Sequence, residues 1–453
     1  MNYRKHIILF NVLLLLALLV SSLLFEWKPG ILKKIRPVEI VSAIKKDPKS
    51  KKDSIHNIAA IKKDSATILL ETTKDYATYK GIISGNDQGC SLKSFYQKLL
   101  ELKQKKRKKV RIAYFGDSMI EGDFITQDLR LMLQNIFGGS GIGFVTMTSP
   151  IAGFRETIIN GFSSDWKDIN FKSADKQAAK LFVSGHSFFS SGNSTVNFRA
   201  VNLPRLNQFQ NVSLLYGYSE DNLTSSLVVN DKTYELDQNH FLNVLQLDHL
   251  NQTIVRVKTN DQTIPYYGAA FESDSGLILD NLSFRGISGI ELNYFPNEFL
   301  KELQLKRPYD LLIFHYGTNL LFKPQLHEFA WYGDMMYPIL SKIKTALPGT
   351  SMLLISTADK GGSYNGTWKT AIGVEPLVKV QYETSEKTGA GFLNLYNAMG
   401  GEGTMVNWVE GDTVLARKDY THPNPKGAKK LATIIYESMM KAYNEYEATQ
   451  HGK

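Results

Sequence analysis

Apolar residues change their period along this 453-residue chain, and each change marks a different kind of segment. Ile7 to Phe25 is almost unbroken apolar sequence behind Arg4 and Lys5. At about 1.5 Å rise per residue it is long enough to cross a hydrocarbon core of about 30 Å, and it exceeds the apolar core of a signal peptide. An uncleaved anchor, with its cytoplasmic stub, is therefore expected over residues 1–27. Periodicity is lost over residues 28–90, which read as a Lys-rich linker. It returns at residue 91, where Phe95, Leu99 and Leu102 mark one side of a helix ending in the basic run Lys105 to Lys109. Val110 to Phe115 is a buried-type strand, Gly116 breaks it, and Ile125, Leu129, Leu133 and Ile136 then recur at helical spacing. Further strands near 278–284, 311–316, 352–357 and 392–396 alternate with helical patterns, the last helix carrying Leu431, Ile435 and Met439.

That alternation predicts an α/β domain with a flavodoxin-like parallel sheet flanked by helices, in two parts, 91–160 and 276–445, with 446–453 as a tail. Between them the period is two. Runs such as STVNFRAV, NVSLLYGYS and TIVRVKT, divided by Asn, Asp and Gly, predict a β-sandwich insert over 161–275. In such a sheet the segments after Phe115, Ser283 and Tyr316 all lie at strand carboxyl ends, where they can converge on one crevice.

Charge sharpens this division. From Lys28 to Lys63, 11 Lys or Arg face only Glu39, Asp47 and Asp53, so this stretch accounts for nearly all of the chain's formal +9. AIKKD occurs in it twice, at Ala43 to Asp47 and Ala60 to Asp64. The excess belongs to a tether, and the globular part is close to neutral, which gives no basic face for nucleic acid. Arg4 and Lys5 favour a cytoplasmic N-terminus, while Lys28, Lys33, Lys34 and Arg36 oppose it. Cys90 is the one cysteine, so an intramolecular disulfide and a Cys-type zinc site are excluded. The nine histidines show no paired helical spacing, and there is no HExxH, GxGxxG or P-loop. No metal and no cofactor are expected.

The candidate chemistry lies at the strand ends. Ser118, in VRIAYFGDSMIEGD, falls at a strand-to-helix turn, where its own N–H and a helix start can meet a developing oxyanion. A serine hydroxyl needs a base and a group that orients the base. KDYTHPNPKG supplies Asp419 and His422 on one short loop, with Pro423 holding it extended and Asn424-Pro425 opening a helix. ILDNLSFRGISGIEL closes on Gly286 and Gly289, and YDLLIFHYGTNLL on Gly317-Thr318-Asn319. A glycine that lets backbone approach a substrate and an asparagine amide that donates are what an oxyanion hole requires.

These four segments, in this order, resemble the SGNH family of GDSL-type hydrolases. The resemblance implies a nucleophile at Ser118, with Gly116 and Asp117 supporting it in the motif, oxyanion donors at Ser118, Gly286 and Asn319, support from Gly317, and a base and orienting acid at His422 and Asp419. Leu320 departs from the acidic residue that many members have after the asparagine. FGGSGIGFV, within residues 131–145, is similar to a glycine-rich stretch of bacterial peptidoglycan O-acetylesterases of this family, which also carry a β-rich, carbohydrate-binding-like insert. Trp166, Phe188, Phe189, Tyr216, Tyr218, Tyr266 and Tyr267 are candidates for stacking on sugars.

The resemblance implies a membrane-anchored serine esterase, acting in the periplasm or at the cell surface, that removes O-acetyl groups from a cell-envelope polysaccharide, peptidoglycan first. An O-acetyltransferase would use the same acetyl-serine and differ only in its acceptor. A non-catalytic wall-binding protein is the reading from a different class, and it leaves Ser118, Asp419 and His422 without a use. Oligomeric state is not legible in the sequence.

Overall fold

The computed structural model describes residues 75–85, 91–174, 180–220 and 225–451. All of them belong to one compact unit, Lys62–Lys453. The expected anchor and most of the expected linker lie outside the described residues. Among the described residues no helix is long and apolar enough to cross a membrane.

Six strands form the central sheet: β1 (Ile82–Ile83), β2 (Lys109–Gly116), β3 (Gly276–Ser283), β4 (Leu311–His315), β5 (Ser351–Ile355) and β6 (Gly391–Leu393). Their spatial order is β1-β6-β5-β4-β2-β3, with β1 antiparallel to β6 and every other pair parallel. Without β1 this is the flavodoxin-like order, in which the strand sequence reverses between β2 and β4. Helices cover both faces: α1 (Leu92–Lys103), α2 (Thr126–Phe137) and α6 (Pro425–His451) on one, α3 (Asn297–Lys306), α4 (Ala330–Ala346) and α5 (Val374–Thr388) on the other.

The continuous apolar runs of the strands follow from this double cover. Ala113 and Phe115 of β2 enter the core with Phe299, Leu340 and Leu377, whereas Val110, Ile112 and Tyr114 enter the opposite core with Leu99, Leu129 and Leu431. Gly427 N–H donates to the Asn424 side chain at 3.0 Å, so Asn424 and Pro425 open α6 as the sequence predicts.

Four expectations are corrected. Ile82 and Ile83, inside the expected linker 28–90, are buried and pair with β6. The expected tail 446–453 continues α6 as far as His451. Ile136 is exposed and Phe137 buried, so the apolar stripe of α2 runs through Leu129, Leu133 and Phe137. The helix after Ser118 begins only at Thr126. Gly122, Asp123 and Ile125 have φ of 74°, 71° and 63°, which interrupts helical backbone. Left-handed backbone at a β-branched residue costs about 1–3 kcal/mol and persists only where surroundings impose it. Here the imposing group is buried Asp123, held by Arg130 at 2.7 and 2.9 Å and by the Thr126 and Thr157 hydroxyls at 2.7 Å.

The insert is a sandwich. One sheet has the order 232–236, 225–229, 254–259, 194–199, 159–162, and the other 243–247, 211–216, 266–272, 186–190, 166–170. Gly143–Thr146 joins the second sheet through Tyr266–Glu272, so strands from the first part of the α/β domain help to build the sandwich. The glycine-rich run makes that junction. A Cβ on Gly141 or Gly143, at φ of 93° and 71°, would collide with the Phe271 or Leu279 carbonyl oxygen. Insert and α/β domain also share a core, where Phe171 packs edge-on to Phe284 and Phe182 edge-on to Phe299.

Candidate active site

Each site residue stands at the carboxyl end of a sheet strand or on the loop before α6, around the point where the strand order reverses. Ser118 follows β2, Gly286 follows β3 and Asn319 follows β4. The turn between them and Asp419 to His422 is closed by backbone bonds: Arg417 N–H donates to His422 O at 2.8 Å and Tyr420 N–H to Arg417 O at 3.1 Å.

Ser118 Oγ lies 2.9 Å from His422 Nε2, and His422 Nδ1 lies 2.9 Å from Asp419 Oδ2. The other carboxylate oxygen, Asp419 Oδ1, accepts from the backbone N–H groups of Thr421 at 3.0 Å and His422 at 2.9 Å. Burial pushes the Asp419 carboxyl up, but these hydrogen bonds and the imidazole outweigh it and hold the group below its ordinary value. An ionised carboxylate accepts only, so Nδ1 carries the proton and Nε2 is left to accept from Ser118.

Asp117 and Asn319 brace one another behind the serine. Asn319 Nδ2 donates to Asp117 Oδ2 and to the Ile287 carbonyl, each at 2.9 Å, and both partners being acceptors fixes the amide orientation. Asp117 also accepts from Met119 N–H at 2.9 Å and the Thr318 hydroxyl at 2.8 Å. Burial pushes its carboxyl above the usual range against these bonds. By contrast, the backbone N–H groups of Ser118 and Gly286 donate to no group among the described residues. Leu320 packs into the core beside α4, and its N–H donates to Gly317 O at 2.9 Å, so an apolar residue suits the position after Asn319. Gly317, at φ of 138°, sits where a Cβ would press on Thr357 at 2.7 Å.

The triad opens on a crevice of 550 Å³ that Phe124, Ile151, Phe154, Lys172, Arg285 and Arg417 help to line. Several of these were not legible in the sequence. Lys172 comes from the insert, and a Cβ on Gly286 would stand 2.9 Å from its ammonium nitrogen. Arg285 makes a two-point ion pair with Glu121, at 2.9 and 2.7 Å, that ties the Ser118 loop to the Gly286 loop. Lys360 Nζ donates to the Thr318 carbonyl at 3.0 Å; burial lowers its pKa, and the nearby Asp117 and Asp419 oppose that. Trp368 stacks on Tyr420 with ring centroids 3.9 Å apart, supporting the Asp419 to His422 loop from a hairpin. None of these belongs to a spaced motif, so pattern reading had no signal for them.

The insert aromatics expected to meet sugar fare differently. Phe188, Tyr216, Tyr266 and Tyr267 are buried core, and Lys180 covers the Tyr218 ring at 3.5 Å. Trp166 and Phe189 are half-buried against the same cores, and none of the seven lines the crevice. The exposed aromatic at the crevice is Phe154, 72% accessible, on a segment preceding the insert. No cluster of metal-ligating side chains occurs among the described residues.

This sheet order, with serine, glycine, asparagine and the aspartate–histidine loop at its strand ends, is the fold of an SGNH-type hydrolase. A solved peptidoglycan O-acetylesterase superposes with a TM-score of 0.67 at 21% identity, over 80% of this chain and 98% of that one. A family two carbohydrate esterase from Cellvibrio japonicus gives 0.27 at 10% identity over 63% and 99%. A lipase/acylhydrolase from Enterococcus faecalis gives 0.26 at 18% over 36% and 76%. The first match covers both the α/β domain and the insert. No family model matches the sequence, and no curated protein does.

Proposed function

We propose that this protein is a serine esterase that removes O-acetyl groups from a cell-envelope polysaccharide, peptidoglycan being the first choice. The observation that carries the reading is the relay Ser118 Oγ, His422, Asp419, with both links at 2.9 Å, on the lip of a 550 Å³ crevice. The likeness in fold to a peptidoglycan O-acetylesterase supports the choice of substrate.

Ser118 Oγ attacks the acetyl carbonyl carbon while its proton passes to His422 Nε2. The oxyanion meets the N–H groups of Ser118 and Gly286, with Asn319 as third donor once one of its amide N–H groups turns from Asp117 or Ile287 to the oxyanion. Collapse expels the sugar alkoxide, which takes the proton from His422. Water, deprotonated by the same imidazole, then attacks the acetyl-serine; the Ser118–acyl bond breaks, Ser118 Oγ takes the proton back from His422, and acetate is released. A sugar hydroxyl in place of water would make the enzyme an acetyltransferase. The test is release of acetate from O-acetylated peptidoglycan, run beside acetyl transfer to a chitooligosaccharide. Acetate release without transfer is the expected result; transfer outpacing release would reassign the acceptor.

Asn319→Ala should lower kcat on an aryl acetate by roughly 10²- to 10³-fold, the cost of one oxyanion donor. Its bonds to Asp117 and Ile287 give it a bracing role as well, so melting must be followed alongside. A lower melting temperature with kcat unchanged would make Asn319 a brace only.

The proposed place of action is outside the cytoplasm, on the anchor expected over residues 1–27. The intact chain should stay with membranes in high salt, because apolar insertion is insensitive to screening whereas a Lys-rich tether is not. Release by salt alone would leave the basic segment as the only attachment.

A further inference from the structure

Tyr420 stands between the acid and the base of the relay, and its backbone is left-handed, with φ of 53°. That turn sets the spacing of its neighbours. It brings the Thr421 and His422 N–H groups onto Asp419 Oδ1, at 3.0 and 2.9 Å, and leaves Asp419 Oδ2 2.9 Å from His422 Nδ1. A residue with a large side chain holds such backbone only where its surroundings impose it.

What imposes it is a β-hairpin, Gly361–Tyr364 paired with Thr367–Thr370, outside the segments that bear the relay and the oxyanion donors. Gly361 N–H donates to the Tyr420 carbonyl at 2.8 Å, and a Cβ on Gly361 would stand 2.6 Å from Tyr420 Cβ, an approach that only glycine permits. Trp368 lies flat on the Tyr420 ring, with centroids 3.9 Å apart and planes within 5° of each other, while the Tyr420 hydroxyl donates to Glu410 at 2.6 Å. Backbone, ring and hydroxyl of this one residue are each held. The hairpin also reaches the Asn319 side of the site. Lys360, which leads into it, donates to the Thr318 carbonyl at 3.0 Å, and the Tyr364 hydroxyl donates to the Pro324 carbonyl at 2.7 Å. One hairpin therefore ties the loop of the base to the loop of Asn319.

Trp368 is 36% exposed, belongs to none of the three hydrophobic cores among the described residues and does not line the crevice they form. Its ring meets the site only through Tyr420. We infer that Trp368 is a positioning residue for catalysis: by its stack on Tyr420 it holds the left-handed turn that aligns Asp419 with His422, and His422 with Ser118. The inference rests on the Ser118 relay of the proposed function and not on the polymer that carries the ester.

The test is hydrolysis of an aryl acetate by the full chain in detergent, beside the rate at which an alkyl fluorophosphonate labels Ser118. Trp368→Ala should lower kcat about ten- to a hundredfold, the scale on which a small misplacement of a catalytic group acts, and should change KM by less than about threefold, because the crevice wall is untouched. Labelling should slow in the same proportion. Trp368→Phe, which keeps a ring to stack, should return kcat to within about threefold of wild type. Trp368→Leu, which keeps apolar bulk without an aromatic face, should lose kcat as the alanine variant does, so the comparison survives a folding defect in either one. In a Tyr420→Ala background, Trp368→Ala should cost less than about a further twofold, since the two rings act as one unit. A kcat within about twofold of wild type in both Trp368→Ala and Trp368→Leu, a loss that Trp368→Phe does not restore, a loss carried by KM, or fully additive losses in the double variant would each overturn the inference. An aryl acetate reports the relay whatever the polymer, so this test and acetate release from peptidoglycan fail independently.

Discussion

Ser118→Ala is expected to lower hydrolysis of an aryl acetate by on the order of 10⁴-fold or more while leaving the melting temperature nearly unchanged. The hydroxyls nearest to a replacement role are committed elsewhere. Thr318 donates to Asp117 at 2.8 Å, and Thr421 donates to the Asp419 carbonyl at 3.0 Å. Neither is aligned on His422 Nε2, as Ser118 Oγ is at 2.9 Å. Ser118 is half-buried on its loop, and its side-chain hydroxyl makes that one bond, so removing a single oxygen disturbs little packing. What survives should be the contribution of the oxyanion donors alone. Steady-state kinetics on the purified variant decide the matter, and retention of more than a few per cent of the wild-type rate would displace Ser118 as nucleophile.

Asp419→Asn should cost about 10³- to 10⁴-fold in kcat through the tautomer of His422. Asp419 Oδ1 accepts two backbone N–H groups, from Thr421 and His422. An asparagine must keep its one oxygen there, which turns its amide N–H₂ toward His422 Nδ1. That nitrogen would then accept, Nε2 would carry the proton, and the ring would no longer take the proton of Ser118. The lower end of the range allows for the half-exposed position of Asp419, where water competes for the imidazole. Because its carboxyl is held below the ordinary value, it keeps its charge as the pH falls through the usual carboxylate range. The acid limb of the wild-type rate should therefore belong to another group, and a pH profile of kcat/KM that falls with an ordinary carboxylate pKa would contradict the arrangement.

Much of the α/β domain was legible because a sheet buried on both faces demands unbroken apolar runs, and those are hard to hide. All the strands expected from such runs form, in the parallel order that the alternation with helices implied. β1 escaped because two residues carry no period. The late start of α2 escaped because its cause is tertiary: Asp123 is held by Arg130 and Arg155, the second of them more than thirty residues away. The exposure of Ile136 has a similar origin, since helical spacing marks a stripe and only packing chooses its edge.

The residue types of the chemistry, and the loops that bear them, were properties of the sequence alone, because a turn after a strand and a proline after a histidine act locally. What the tertiary structure decided was everything that depends on distance across the chain. Asn319 spends both amide N–H bonds on Asp117 and Ile287, Lys172 reaches Gly286 from the insert, and Arg285 grips Glu121. It also decided which aromatics face the crevice. Burial is a sum over contacts from both sheets and the α/β domain, so Tyr216, Tyr266 and Tyr267, which looked like sugar platforms, became core, while Phe154 was left facing the crevice.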